Sequence, residues 1–88
     1  MAKNFQVNVI NKYSSGLFLR ITGDFDGSSA YSLTNLLERE GKGLSNIVID
    51  TDGLSEVHSF GREVFNSNIK KLGIHIKYLG RFKSAFDH

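Results

Sequence analysis

The chain has no cysteine, no apolar stretch of membrane-spanning length, and no strong excess of charge of either sign. Each absence excludes something. Without cysteine there is neither a disulfide framework nor a zinc–thiolate centre, which agrees with a reducing cytoplasm as the expected location. The apolar runs fall far short of the roughly 20 residues that a membrane helix requires, so no membrane insertion is expected. Met1 to Val9 hold one lysine and no long apolar segment, and so do not read as a secretory signal. Eleven Lys and Arg against nine Asp and Glu leave a net charge of +2. The basic residues thicken toward the C-terminus, at Arg62, Lys70, Lys71, Lys77, Arg81 and Lys83. No aromatic-rich RNA motif or recognition-helix pattern accompanies them, so nucleic acid is not an expected partner. A solvated helix face and a strand edge account for them.

Of the 88 residues, 40% are hydrophobic and 23% charged, enough for one core and a solvated surface, so residues 1–88 are expected to form a single domain. Phe5, Val7 and Val9 alternate with polar residues as in a half-exposed strand. Asn11 to Gly16 reads as a turn and Leu17 to Thr22 as a second strand, a spacing that predicts an antiparallel hairpin. Gly23 to Gly27 reads as a break, with Asp26 or Ser28 placed to cap the next helix. That helix, Ser28–Glu40, carries Ala30, Leu33, Leu36 and Leu37 at helical spacing and stops at Gly41 and Gly43. The β-branched run Ile47-Val48-Ile49 predicts a central strand buried on both faces. Thr51 to Val57 reads as a loop. A second helix is expected over Ser59–Leu72, with Phe65, Ile69 and Leu72 inward and Gly73 at its end. Ile74, Ile76 and Tyr78 alternate as a last strand, and Arg81 to His88 has the makings of another helix. The order β-β-α-β-α-β predicts an α/β fold, a mixed β-sheet with helices packed on it.

Two acidic motifs bear on chemistry. Ile47 to Leu54, with its Asp50-Thr51-Asp52-Gly53 core, resembles the first motif of the haloacid-dehalogenase phosphatases. There the first Asp attacks phosphorus and the second handles the leaving-group proton beside a magnesium ion. The downstream acids here are Glu56, Glu63 and Asp87, with no adjacent acidic pair to complete such a metal site. A buried strand ending in turn-forming residues explains the motif, and no enzyme activity is expected. Asp24-Phe25-Asp26 is the second motif, and it reads as a turn and helix cap. His58 and His75 have no partner at metal-ligand spacing. No metal or other cofactor is expected.

A pair of longer segments carries more. Leu17 to Asp26, ending Gly23-Asp24-Phe25-Asp26 and followed by Gly-Ser-Ser-Ala, is one. Asn46 to Leu54 followed by Val57-His58-Ser59-Phe60-Gly61 is the other. Together with Tyr78-Leu79-Gly80 and Arg81 to Asp87 they resemble the STAS domain of bacterial anti-sigma-factor antagonists, over nearly the whole chain and in the family's order. In that family the first Ser of an Asp-Ser-Ser-Gly helix start is phosphorylated by a partner kinase, and it corresponds to Ser59. The family's Asp is His58 here, its second Ser is Phe60, and an apolar position after Gly61 is Arg62.

The resemblance implies a STAS-like regulatory module that docks on a protein partner, an anti-sigma factor or a serine-kinase-like protein. Phosphate on Ser59 would act as the switch, since a hydroxyl at a helix N-terminus is accessible and phosphate adds about −1.5 to −2 charges. Asp26, His58, Ser59, Phe60, Gly61 and Arg62 form the expected partner-binding surface, with Ser59 also serving as an N-cap. The alternative is a STAS scaffold subunit of a transport or sensory complex, without the switch.

Overall fold

The computed structural model describes residues 4–86. The elements run β1 (Gln6–Tyr13), β2 (Gly16–Phe25), α1 (Gly27–Glu40), β3 (Asn46–Val57), α2 (Ser59–Leu72), β4 (Ile76–Leu79) and a one-turn α3 (Lys83–Phe86). The four strands lie in sequence order in one sheet. β1 and β2 pair antiparallel across the tight turn at Ser14-Ser15, while β2–β3 and β3–β4 pair parallel. Each parallel pair is joined by a helix, as a crossover connection requires. The α/β mixed sheet expected from the element order is therefore present, with β3 an interior strand. Among the described residues no helix is long and apolar enough to cross a membrane.

Alternation decides which face is buried. Leu17, Leu19, Ile21 and Phe25 of β2 and Ile47 and Ile49 of β3 point into one core with Leu33 and Leu37 of α1 and Phe65 and Ile69 of α2. The intervening Arg20 is exposed, and Phe18, Thr22 and Val48 are only partly buried. The expectation that Ile47-Val48-Ile49 is buried on both faces is thus corrected. The helices cover one side of the sheet, and Val48 faces the other.

Four boundaries also differ from expectation. Asn11 to Tyr13 and Gly16 are paired strand, so the turn expected over Asn11 to Gly16 is Ser14-Ser15 alone. β2 continues through Gly23 and ends at Phe25, so the break begins only at Asp26. The segment Thr51 to Val57 is strand, not loop: it stays paired with β2 through two register shifts, which absorb the turn-forming Asp52-Gly53. The last strand starts at Ile76, and Ile74 is buried ahead of it. The helix expected within Arg81 to His88 is present as α3, while Asp87 and His88 lie outside the described residues.

Thr51 explains how the second half of β3 holds the C-terminal segment. Its buried hydroxyl donates to the Leu79 carbonyl at 2.6 Å and accepts from the Phe82 amide at 3.1 Å. Asp52 Oδ1 accepts from the Arg81 amide at 2.8 Å, and Asp50 accepts from the Asp52 amide at 2.9 Å and from Arg20 at 3.3 Å. Gly80 turns the chain between them at a positive φ of 96°, where a Cβ would also sit 2.7 Å from the Asp52 nitrogen. The carboxylates of the Asp50–Asp52 motif are occupied as hydrogen-bond acceptors, Asp50 toward β2 and its own turn and Asp52 toward the Gly80-Arg81 turn.

The basic residues are dispersed. Lys70 and Lys71 occupy the last turn of α2, a favourable end of the helix dipole, and Gly73 closes that helix in the left-handed conformation. Lys77 is exposed on β4.

Candidate functional site

Parallel strands that feed helices deliver their strand-to-helix junctions to one edge of the sheet, and ligands gather at such edges. Here β2 and β3 end together: Phe25 is in register with Val57, and the His58 amide donates to the Phe25 carbonyl at 2.8 Å. The two helices start side by side, α1 after Asp26 and α2 after His58.

Below this edge the support is aromatic. The Phe25 ring meets Phe5, Phe65 and Phe86 edge-on at centroid distances of 5.6, 5.6 and 5.0 Å. Such pairs add directional preference to area burial, so the ends of β2 and α2 share one packed base.

The α1 junction is saturated. Asp26 is the N-cap, and its Oδ1 accepts from the Ser29 amide at 3.0 Å, the Ser28 hydroxyl at 2.9 Å and the Ser29 hydroxyl at 3.0 Å. These bonds, the Ser29 amide foremost, hold the Asp26 carboxyl below its ordinary value, with His58 adding a smaller electrostatic pull. Of the two capping candidates, Asp26 fills the role, and Ser28 braces it.

The α2 junction is bare. His58, not Ser59, stands at the N-cap position, and its side chain makes no capping bond. The expectation that Ser59 is the N-cap is corrected: Ser59 is the first helical residue, so its hydroxyl lies past the place from which a cap reaches back. That hydroxyl is exposed and has no hydrogen-bond partner among the described residues. Phe60 is 71% exposed, so it does not fold back into the core, and its ring lies over Gly27, whose Cβ would meet it at 3.2 Å. Gly61 is buried against the start of α1, where an added Cβ would fall 2.5 Å from the carbonyl carbon and oxygen of Asp26. Only glycine allows the two helix starts to approach so closely.

All six residues picked out from the sequence therefore fall at one edge. Asp26, Phe60 and Gly61 are in mutual proximity through Gly27 and the Asp26 backbone, while Ser59 and Arg62 share a groove of about 280 Å³ with Val57, Phe82 and Ala85. A larger hollow, about 550 Å³, lies beyond β4 between α2 and α3, and none of the six lines it.

Sequence spacing missed one constellation. Asp24 and Glu56 are register partners on β2 and β3, and His58 follows two residues on, with Nε2 3.6 Å from Glu56 Oε2. The potential ligand atoms of Asp24, Glu56 and His58 all lie within 4.8 Å of one another, with Asp24 buried and the others exposed. His58 is thus not isolated in space, contrary to the reading from spacing. Two carboxylates and an imidazole make a donor set that suits first-row divalent ions.

No protein-family model matches the chain, and no curated protein matches it. What the site can do rests on its own geometry.

Proposed function

We propose that this domain is a protein-binding regulatory module that presents the bare α2 junction to a partner, with Ser59 as its modifiable switch. The observation that carries the reading is the exposed pair Ser59-Phe60 on a rigid base: a free hydroxyl at a helix start beside a large apolar side chain held out over Gly27. An exposed aromatic on a well-packed support is the kind of anchor that dominates binding energy at interfaces. A phosphate on Ser59 would set about −1.5 to −2 charges next to that anchor, enough to alter docking. The resemblance to the STAS domain of anti-sigma-factor antagonists supports this reading and suggests the partner class, an anti-sigma factor or a serine-kinase-like protein, in the cytoplasm.

The scaffold reading, a STAS-like subunit without a switch, draws support from His58, Phe60 and Arg62, which depart from the family's Asp-Ser-Ser-Gly start. We further propose that the domain is not a phosphatase, because the carboxylates of Asp50 and Asp52 are engaged with Arg20, the Asp52 amide and the Arg81 amide.

Capture from native lysate on the immobilised domain, with mass spectrometry of bound proteins and of phosphosites, tests the proposal. The expected result is one saturable partner lost on Phe60→Ala and phosphate found at Ser59. Capture indifferent to Phe60, with Ser59 unmodified, would refute it.

A further inference from the structure

Of the four arginines in the sequence, three are engaged through their side chains. Arg20 Nε lies 3.3 Å from Asp50 Oδ2, and Arg39 Nε 3.3 Å from Glu40 Oε2. Arg81 donates through Nη2 to the Leu54 carbonyl at 3.0 Å, with its guanidinium 5.3 Å from the Phe82 ring centroid. Arg62 differs. Its Nε is withdrawn from solvent and has no acceptor among the described residues. A buried donor of a charged group left without an acceptor is costly, and an anionic acceptor reaching the guanidinium would relieve that cost.

The position of Arg62 says which occupant fits. It lies three residues after Ser59 on α2, one turn along the same side of the helix. Helical side chains lean toward the N-terminus, which carries the guanidinium back over the first turn, toward Ser59. Both residues line the 280 Å³ groove with Val57, Phe82 and Ala85. The Arg62 amide is already used by the His58 carbonyl at 3.0 Å, so the guanidinium is what remains on offer. Glu63, the adjacent acid, lines the other hollow, beside β4, and does not face this groove. Ser59 also opens the first turn of α2, whose amides have no side-chain cap. The groove thus joins a hydroxyl, an uncommitted arginine and a helix start.

We propose that Arg62 is the domain's own receptor for a phosphate on Ser59, clamping it into the groove beside α3. The inference rests on the reading of Ser59 as a modification site. In the transfer, catalysed by a kinase, Ser59 Oγ bonds the terminal phosphorus of a nucleoside triphosphate. The bond to the nucleoside diphosphate breaks, and the hydroxyl proton passes to the kinase's base. Two phosphate oxygens then accept from the guanidinium of Arg62, the fork geometry that arginine matches well, and the third faces the first-turn amides. Phosphorylation would therefore act inside the domain, fixing the start of α2 against its own groove, as well as on any partner.

The test installs phosphoserine at position 59 during synthesis of the 88-residue chain, so that no kinase is needed. Phosphorus NMR then follows the phosphate's second ionisation, and proton–nitrogen spectra follow the Arg62 Nε–H. The clamp predicts a downward shift of about one unit from the ordinary value near 6, most of it lost in Arg62→Gln. It also predicts a moved and protected Arg62 Nε–H resonance. The same ionisation in wild type and Arg62→Gln would overturn it. Should Arg62→Gln fail to fold, the Nε–H resonance of the wild-type chain decides: unchanged on phosphorylation, it overturns the clamp. The two failures are separable, because a lysate that never modifies Ser59 defeats the switch without touching this result.

Discussion

Two strand-to-helix junctions sit side by side at the carboxyl edge of the sheet, and they are built in opposite ways. At the start of α1 one carboxylate, Asp26, gathers an amide and two hydroxyls. At the start of α2 the corresponding position is His58, which caps nothing, and the next residues expose a hydroxyl and a phenyl ring. Both helices have 14 residues, so length does not explain the difference. A helix start without a cap forgoes about 1 kcal/mol. The contrast makes α1 the capped, fixed wall and α2 the open edge, and under the proposed function the stability forgone at α2 is what keeps that edge accessible.

The two junctions depend most on the contact between them. Gly61→Val drives a side chain into the Asp26 backbone, which has no flexible end to move aside. It should destabilise the domain by about 3 kcal/mol, read as a lowered urea midpoint at unchanged slope. A loss under about 1 kcal/mol would mean that the two starts are not held together.

Asp26→Ala should cost about 1 kcal/mol by removing the cap of α1. The same cap is sensitive to acid. Because the folded state holds the Asp26 carboxyl below its ordinary value, its contribution is fully present above about pH 4. It disappears as pH falls through the lowered value. Urea unfolding of wild type and Asp26→Ala across pH 7 to 2 should therefore converge at the acid end, and a constant gap would contradict the assignment.

Equalising the junctions gives a smaller effect of opposite sign. His58→Asn supplies the missing cap without adding a negative charge beside Glu56 and Asp24, and should stabilise by about 0.5 kcal/mol. The weak contact between His58 and Glu56, both exposed, is a minor loss. Thermal unfolding reads the change, and a destabilised variant would show that His58 already supports α2.

Much of this architecture was legible in the sequence because local periodicity and tertiary burial agree. Val7 next to polar neighbours, Leu33 and Leu37 on one face, and Gly73 after Leu72 each say the same thing at both levels. The second half of β3 was not legible. Asp52-Gly53 is turn chemistry, and only pairing with β2, through its register shifts, keeps it extended. The site divides in the same way. The Asp26 cap follows from an acid two and three residues before serines, whereas the meeting of Asp24, Glu56 and His58 depends on strand register, which no local pattern carries. Ser59 was placed within one residue of its true position. That one residue separates a helix cap from a free hydroxyl.

Under the proposed function the bare junction is a docking edge switched through Ser59. Binding of the captured partner to wild type, Ser59→Ala and Ser59→Glu, by titration calorimetry at fixed ionic strength, tests it most directly. Since Ser59 caps nothing, Ser59→Ala should leave both stability and affinity within about 0.5 kcal/mol of wild type. Ser59→Glu should weaken binding about tenfold, or about 1.4 kcal/mol, with the fold intact. Wild-type affinity in Ser59→Glu would contradict the account.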